Sequence, residues 1–399
     1  MEKEIKNFVI YCFCTFCASF GFMISYIFVP VLAQSIGANM IEIGIIGATY
    51  FIVSTPMMYI LGRLSDYQDL RRRIIFFGFL IATFVYFLLS ISNSTLQLII
   101  LMALLGISTS AYLPSMLALV SEEASKIKTG LKMGFYTGSI SAGFGVGGIV
   151  GGLIGDILGL SAVFLFCGIV LAFSTMVVFL ILEIMGTKKE IYDYSKLKRR
   201  KKDLSLKIPS FKEITNSQFV MTGMLALFIA IFLRNFGYRG LTNFLSLYLL
   251  DLGASKSLMG MILSLNFILQ FFLMPSAGWI SDRLGRKITI SAGMIGSSVA
   301  MFLYSIILNP YEAIPIQFLV ALSWSMILAS AYAYVADFAP KNRRGGSMGL
   351  LRTSQDLGGA IGPPIAGVLV NTYDYRVMIQ FLMGIPLLGA VISYSKLKK

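Results

Sequence analysis

Long apolar stretches recur along the whole chain, and short polar stretches separate them. A helix needs about 20 predominantly apolar residues to cross the hydrocarbon core of a bilayer. Stretches of that kind fall near residues 8–34, 41–61, 74–92, 96–120, 133–155, 160–184, 219–250, 257–278, 288–308, 314–336, 347–371 and 376–394. The pattern therefore predicts an all-α membrane protein with twelve transmembrane helices.

The twelve stretches form two sets of six that are related by a repeat in the sequence. Like residues separated by 216 positions include Phe20 and Phe236, Gly37 and Gly253, Gly44 and Gly260, and Asp66 and Asp282. Farther along, the separation becomes 215 positions and pairs Gly134 with Gly349, Gly147 with Gly362, and Gly152 with Gly367. A register held over about half of a chain indicates two homologous halves. We predict two pseudo-symmetric six-helix bundles over residues 1–184 and 218–399, joined by a basic cytoplasmic linker at 185–217.

Basic residues are concentrated in every second loop. Of the 33 Lys and Arg residues, 28 lie at the two termini or in the loops at 62–73, 121–132, 186–217, 279–287 and 337–346. Only Lys256 and Arg376 lie in the alternate loops. Because cytoplasmic loops of membrane proteins are enriched in Lys and Arg, we predict a multi-pass protein of the cell membrane with both termini in the cytoplasm.

The composition agrees with a membrane protein and argues against several other classes. Hydrophobic residues make up 57% of the chain and charged residues 13%, far from the usual soluble composition. The net charge of +14 is explained by the loops, so no nucleic-acid partner is expected. The chain has no histidine and four cysteines, all in apolar stretches. We therefore expect no metal, no cofactor and no enzymatic activity, and the absence of a Gly-x-x-x-x-Gly-Lys loop argues against an ATP-driven pump.

A motif with acidic and basic residues follows the second apolar stretch of each half. The copies read GRLSDYQDLRRR at 62–73 and GWISDRLGRK at 278–287. A glycine at a helix end permits close approach of a neighbouring helix, and a carboxylate at the membrane face accepts hydrogen bonds from a helix N-terminus or an arginine. We expect Asp66 to pair with Arg352, with solvated anchoring charges as the alternative. Further candidate pairs are Arg71 or Arg72 with Glu122 or Glu123, and Arg286 with Asp337.

Both copies resemble the signature of the major facilitator superfamily of secondary transporters, Gly-x-x-(Ser/Ala)-Asp-Arg-x-Gly-Arg-(Arg/Lys). The second copy matches at every position, whereas the first has Tyr67 and Asp69 where Arg and Gly are usual. The resemblance implies two bundles that rock about a central site and a motif that latches them on the cytoplasmic side. The residues that would form this cytoplasmic gate motif are Gly62, Asp66, Arg71, Arg72, Gly278, Asp282, Arg283, Gly285, Arg286 and Arg352.

Two features of the drug or metabolite efflux members of that family are altered here. The fifth span of many exporters carries Gly-Pro-x-x-Gly-Gly, but residues 147–152 read GGIVGG and lack the proline. Many proton-coupled exporters carry an arginine four residues before a glycine of the fourth span, and that position is Met102 in this chain. The family's proton-coupling site in the fourth span is therefore not carried over.

Polar and charged residues inside the apolar stretches predict a binding cavity. An ionisable side chain in the membrane interior costs about 2.5–3.5 kcal/mol on insertion scales, so it calls for a partner or a function. In the family that the chain resembles, spans 1, 4, 7 and 10 line the cavity. The candidate cavity residues are therefore Ser19, Tyr26, Tyr112, Arg234, Asn235, Tyr238, Arg239, Asn243, Trp324 and Tyr332. Ordinary hydrogen bonding between helices is the alternative for each tyrosine and serine, and structural pairing is the alternative for the arginines.

Asp356 is the carboxylate that we place well inside a C-terminal span. It lies four residues after Arg352, so an ion pair within one helix is one interpretation. The other interpretation is that Asp356 binds a coupling ion.

These features predict a secondary transporter that works by alternating access. Aromatic and hydroxyl side chains with few charges suit a mostly apolar ligand, which favours ion-gradient-coupled efflux of a hydrophobic or amphipathic small molecule. The alternatives are uptake of a small metabolite whose anionic group is held by Arg234 or Arg239, and a non-transporting membrane sensor on the same fold. The expected partners are the substrate, a proton or other ion, and the lipid bilayer, and we expect a monomer.

Overall fold

The computed structural model of the protein describes residues 2–65, 68–124, 129–186, 223–339 and 344–398. The first half consists of α1 (Glu2–Ser35), α2 (Met40–Ser65), α3 (Gln68–Ser90), α4 (Thr95–Ala124), α5 (Thr129–Ile157) and α6 (Leu160–Gly186). The second half consists of α7 (Met224–Asp251), α8 (Lys256–Leu284), α9 (Arg286–Ile306), α10 (Ala313–Phe338), α11 (Arg344–Thr372) and α12 (Tyr375–Lys396). From residue 187 onward the predicted linker lies outside the described residues.

Each predicted apolar stretch coincides with one of these helices. Eleven of the helices are both long enough and apolar enough to cross a membrane. The exception is α11, whose mean hydropathy is reduced by Arg352, Asp356 and a series of glycines. At 29 residues and 1.5 Å per residue it is still long enough to cross, and it packs between α2 and α7. The twelve-helix architecture predicted from the apolar pattern is confirmed.

The two halves have the same internal packing. In the first half, α1 packs on α5 and α6, α2 on α4, and α3 on α4 and α6. In the second half, α7 packs on α11 and α12, α8 on α10, and α9 on α10 and α12. Every pair in one half thus has its counterpart six helices later, as the sequence repeat predicts.

The repeat also encodes the same helix end twice. Gly37 and Gly253 follow α1 and α7 with φ values of +89° and +87°, a conformation that glycine adopts without steric cost. The N–H of Ala38 donates to the carbonyl of Ala33 at 3.0 Å, and the equivalent bond after Gly253 measures 2.9 Å. The Gly-Ala pair that recurs in the sequence therefore forms one turn in two places.

The halves meet along two equivalent seams, α5 against α8 and α2 against α11. We call the end of the bundle that holds both chain termini the terminal end, and the opposite end the distal end. At the distal end, a Cβ atom on Gly152 would lie 2.6 Å from the carbonyl oxygen of Lys256, and one on Gly367 would meet that of Met40. Because the repeat relates Gly152 to Gly367, the distal end is closed by the same backbone contact on both sides.

The seams open toward the terminal end. Among the described residues, no atom lies within 4 Å of a Cβ atom built on Gly62, Gly134, Gly278 or Gly349. This differs from the expectation that Gly62 and Gly278 bring a neighbouring helix close, because no described atom approaches either position. Gly285 has a different role, since its φ of +88° forms the turn between α8 and α9.

Candidate functional site

A cavity of two adjoining compartments lies between the halves, near the midpoint of α7. The polar compartment lies between α1, α7, α8 and α10, and its empty space of about 510 Å³ includes open solvent. The apolar compartment lies between α1, α2, α4, α7 and α11, and its empty space of about 530 Å³ also includes open solvent. Tyr26, Arg239 and Thr242 line both compartments. One continuous site is therefore built from both halves of the protein.

Arg234 is the most deeply buried charge in the polar compartment. Its side chain is 2% exposed, and its guanidinium lies 4.1 Å from the ring centre of Tyr238 and 4.1 Å from that of Trp324. Its Nε lies 3.5 Å from the hydroxyl of Ser297. Stacking on two rings offsets part of the cost of removing a cation from water.

Arg239 connects the two compartments. Its guanidinium lies 5.2 Å from the ring centre of Phe51 and 6.0 Å from that of Tyr26, both in the first half. Among the residues that the structure describes, neither Arg239 nor Arg234 forms an ion pair with a carboxylate. The cavity therefore holds two cations whose charges are not balanced by its own described walls.

Side-chain amides complete the polar compartment. Gln270 donates to the side-chain oxygen of Asn266. The Nδ2 of Asn266 is buried and has no hydrogen-bond partner among the described residues. Gln317 of α10 also lines the compartment. Sequence reasoning missed these amides, although Asn266 and Gln270 lie four residues apart in an apolar stretch and so share one helix face.

The apolar compartment faces the first half. Its walls include the apolar side chains Phe22, Ile43, Ile46, Phe51, Met102 and Leu105. At its distal side, Asn243 donates from Nδ2 to the carbonyl of Ile43 at 3.3 Å. A Cβ atom on Gly47 would collide with the Asn243 side chain, so α2 and α7 are in close contact there.

Six of the ten predicted cavity residues line this site. They are Tyr26, Arg234, Tyr238, Arg239, Asn243 and Trp324. Helices α1, α4, α7 and α10 contribute to its walls, and so do α2, α8 and α11.

Two predicted residues of the first half face its interior instead of the cavity. Ser19 packs against Gly143 of α5, where a Cβ atom would lie 2.8 Å from that of Ser19. The ring of Tyr112 lies 4.9 Å from that of Phe79 on α3. Both side chains are used in packing within the bundle.

Two predicted residues of the second half also lie outside the cavity. Asn235 donates to the carbonyl of Ile231 in its own helix at 2.9 Å and packs on Gly358 of α11. Tyr332 lies eight residues beyond Trp324 on α10, which is about 12 Å toward the terminal end, and it is 38% exposed.

Only part of the cytoplasmic gate motif lies among the residues that the structure describes. Asp66 lies outside the described residues, and so does its predicted pair with Arg352. Arg352 contacts Asp356, with 3.2 Å between Nε and Oδ2, which is the ion pair within one helix that the sequence suggested. The Arg352 side chain is 44% exposed and that of Asp356 only 6%, so exposure falls along α11 from the terminal end toward the cavity.

The second copy of the motif forms a cluster within its own half. Arg286 contacts the carboxylates of Asp282 and Asp337, the latter at 3.2 Å. Arg283 lies 3.9 Å from the ring centre of Trp279. The expected pair between Arg286 and Asp337 is present, and it ties α9 to α10.

In the first copy, Arg71 closes the end of α2 by donating from Nε to the carbonyl of Ser65 at 2.8 Å. Arg72 lines a small crevice inside the first half beside Cys14 and Met116. The predicted pairs of these arginines with Glu122 or Glu123 involve side chains outside the described part.

A carboxylate of the first half caps a helix of the second half at the distal end. Asp156 accepts hydrogen bonds from the backbone N–H groups of Lys256 at 2.9 Å and Ser257 at 2.8 Å. Lys256 returns a bond from Nζ to the carbonyl of Gly155 at 3.0 Å. These groups begin α8, so the carboxylate also lies at the positive end of the helix dipole. We call this contact the distal clasp.

The distal clasp yields a test with a small expected effect. Asp156→Asn keeps the side-chain size but removes the charge, so we expect a cysteine placed at Thr242 to react about three to ten times faster with an impermeant maleimide applied from the distal side. Glu42→Gln is the control, because Glu42 caps α2 within its own half. Equal labelling rates for the two variants would show that the clasp does not hold the distal end closed.

Two six-helix bundles that share one cavity at their seam define a membrane transporter fold. The family model of the Major Facilitator Superfamily matches residues 11–251 and again residues 227–398. The protein belongs to the Major Facilitator Superfamily.

The individual relatives share only low sequence identity with this chain. Multidrug resistance protein MdtG of Serratia proteamaculans is 28% identical over 176 residues, which is 43% of each chain. Quinolone resistance protein NorA of Staphylococcus aureus is 25% identical over 167 residues, 42% of this chain and 43% of NorA. The chain therefore matches less than half the length of these curated relatives. The crystal structure of the nucleoside transporter NupG superposes with a TM-score of 0.79 over 98% of this chain and 99% of NupG, and at 13% identity it shows the fold alone.

Proposed function

We propose that this protein is a secondary transporter that exports a hydrophobic or amphipathic small molecule by alternating access. The observation that carries the proposal is the cavity at the seam, whose walls come from both halves. The halves touch at the distal end and separate toward the terminal end. Rocking that reverses this arrangement would expose the same cavity to the other side.

The direction and the energy source belong to the same proposal. Export is favoured because MdtG and NorA are named for resistance to drugs. The basic loops favour placing the terminal end in the cytoplasm, so the cavity would load from inside the cell. Asp356 is the proposed site of the coupling ion, because it is a buried carboxylate one turn from Gly359, which packs on the cavity residue Phe51.

The proposal predicts accumulation of an amphipathic dye in everted membrane vesicles. With a proton gradient imposed, we expect several-fold more uptake than in vesicles without the protein, and loss of that uptake when the gradient is collapsed. Cysteines at positions 156 and 257, joined by a short bismaleimide, should abolish uptake because the distal end then stays closed. The two single-cysteine variants treated with the same reagent are the controls. Unchanged uptake after cross-linking would contradict alternating access.

A second candidate function is uptake of a small metabolite with an anionic group. The observation that favours it is the pair Arg234 and Arg239 in the cavity. It predicts accumulation of the anion in right-side-out vesicles and loss of that accumulation in Arg239→Gln, whereas export of a neutral dye would survive the same substitution.

A further inference from the structure

Hydrogen-bond donors dominate the walls of the polar compartment. The guanidinium groups of Arg234 and Arg239 each carry five N–H donors and no acceptor. Asn266 adds an Nδ2 group that is buried, has no partner among the described residues and lines the same compartment, and its oxygen is already used by Gln270. No carboxylate lines this compartment in the described part of the chain. Its described walls therefore carry two positive charges and an unpaired amide donor, and no negative charge.

A ligand that complements such walls must supply hydrogen-bond acceptors and a negative charge. Carboxylate, sulfate and phosphate groups accept several hydrogen bonds and match the planar guanidinium. A cationic ligand would add a third positive charge to two that have no described counter-ion, and like charges at short range in a site of low dielectric repel strongly. The polar compartment thus favours an anionic group.

The adjoining compartment has the opposite character. It is lined by aromatic and aliphatic side chains of α1, α2 and α4, and Arg239 lies at the boundary between the two. The two compartments share Tyr26, Arg239 and Thr242 in their walls. One molecule with a charged end and an apolar body would occupy both.

We infer that the transported compound is an amphipathic anion, with its carboxylate, sulfate or phosphate group between Arg234 and Arg239 and its apolar body against Phe22, Phe51 and Met102. The inference rests on the proposed function, because it takes the cavity to be the substrate site. It narrows the substrate class and excludes cationic amphiphiles.

Trp324 provides a direct binding assay. The chain has two tryptophans. Trp324 contacts Arg234 in the cavity, whereas Trp279 is exposed near the terminal end. In a Trp279→Phe background, the fluorescence of purified protein in lipid nanodiscs therefore reports on the cavity alone. The probes are decanoate, decyl sulfate, decyl phosphate, decyltrimethylammonium and butyrate, each below its micellar concentration.

We expect at least one ten-carbon anion to change Trp324 fluorescence saturably. Butyrate should bind at least about a hundredfold more weakly, because it lacks the apolar body. Decyltrimethylammonium should bind at least about tenfold more weakly than the matched anion.

Arg239→Gln should weaken binding of that anion by about ten- to a hundredfold. Arg376→Gln is the matched control, since Arg376 donates to the carbonyl of Ile307 at the distal end, away from both compartments. Comparison of the three head groups identifies which anion is preferred.

Several outcomes would overturn the inference. Equal binding of the decyl cation and the decyl anions would exclude the anionic head, and so would anion binding that Arg239→Gln leaves unchanged. Butyrate binding as tight as that of decanoate would exclude the apolar body and favour the metabolite alternative. If the anions fail to bind while vesicles still export a neutral dye, the substrate class is wrong and the proposed function stands. Selective, Arg239-dependent anion binding without transport supports the site and counts against the transport proposal.

Discussion

Gly260→Ala is expected to lower the rate of dye export by about tenfold. A Cβ atom at this position would collide with the backbone carbonyl of Gly148, and the next nearest atoms are also backbone, so no flexible side chain can move away. Overpacking of this kind costs about 1–3 kcal/mol, or about five- to 150-fold in an equilibrium between conformations. The cost falls on the conformation with a closed distal end, which the transport cycle must visit.

The symmetry of the fold supplies an independent copy of this experiment. Gly44 is the repeat partner of Gly260, and a Cβ atom there would collide with the carbonyl of Pro363 in the other seam. Gly44→Ala should therefore have an effect of similar size. In both variants a cysteine at Thr242 should become more reactive from the distal side. The measurement is the initial rate of uptake into everted vesicles at equal protein content.

Gly134→Ala and Gly349→Ala are the matched controls. Both glycines lie at the terminal end of seam helices and face no described atom within 4 Å, and alanine is the better helix former. We expect wild-type transport rates. Equal loss in the control and seam variants would mean that general destabilisation, and not closure of the distal end, limits transport.

Asp356→Asn is expected to abolish accumulation of substrate against its gradient while leaving exchange across the membrane in place. The amide keeps the shape of the carboxylate but cannot gain or lose a proton. Arg352, its partner, is 44% exposed on its side chain, so water can solvate the cation once its partner is neutral and the fold should survive. Gly359, one turn farther along the same helix, packs on the cavity residue Phe51, which links this part of α11 to the cavity.

The measurement compares two assays on the same proteoliposomes. One follows uptake driven by an imposed pH gradient, and the other follows exchange of labelled for unlabelled substrate without a gradient. Asp374→Asn is the control, because Asp374 caps α12 at the distal end by accepting from the N–H of Val377. Gradient-driven accumulation at the wild-type level in Asp356→Asn would exclude this carboxylate as the coupling site.

The order and number of helices could be predicted from the sequence because they depend on local properties. A stretch of about 20 apolar residues has no stable alternative to a membrane helix, and the spacing of such stretches sets the number of crossings. The repeat at 216 and 215 positions predicted the equivalent packing of the two halves. Arg234 and Arg239 in α7 could also be identified from the sequence, because charged residues are rare enough in a membrane helix to mark a functional site.

The orientation of each helix about its own axis was decided by the tertiary structure. Asn235, Arg239 and Asn243 are spaced four residues apart and so share one side of α7, but Asn235 faces α11 while Arg239 and Asn243 reach the cavity. Ser19 was misplaced for the same reason, because close packing on Gly143 turns it toward α5. Contacts between small residues on different helices set these rotations, and no single stretch of sequence contains both partners.

What the sequence by itself determined is therefore the membrane class, the two-fold repeat and the presence of unusual charges in the seventh helix. Only the tertiary structure decided which side chains share the cavity, that Asn266 and Gln317 belong to it, and that the distal end is the closed one. The physical reason is that the first set follows from hydrophobicity and helix geometry within one segment. The second set depends on contacts between segments far apart in the chain, such as Asp156 with the first residues of α8.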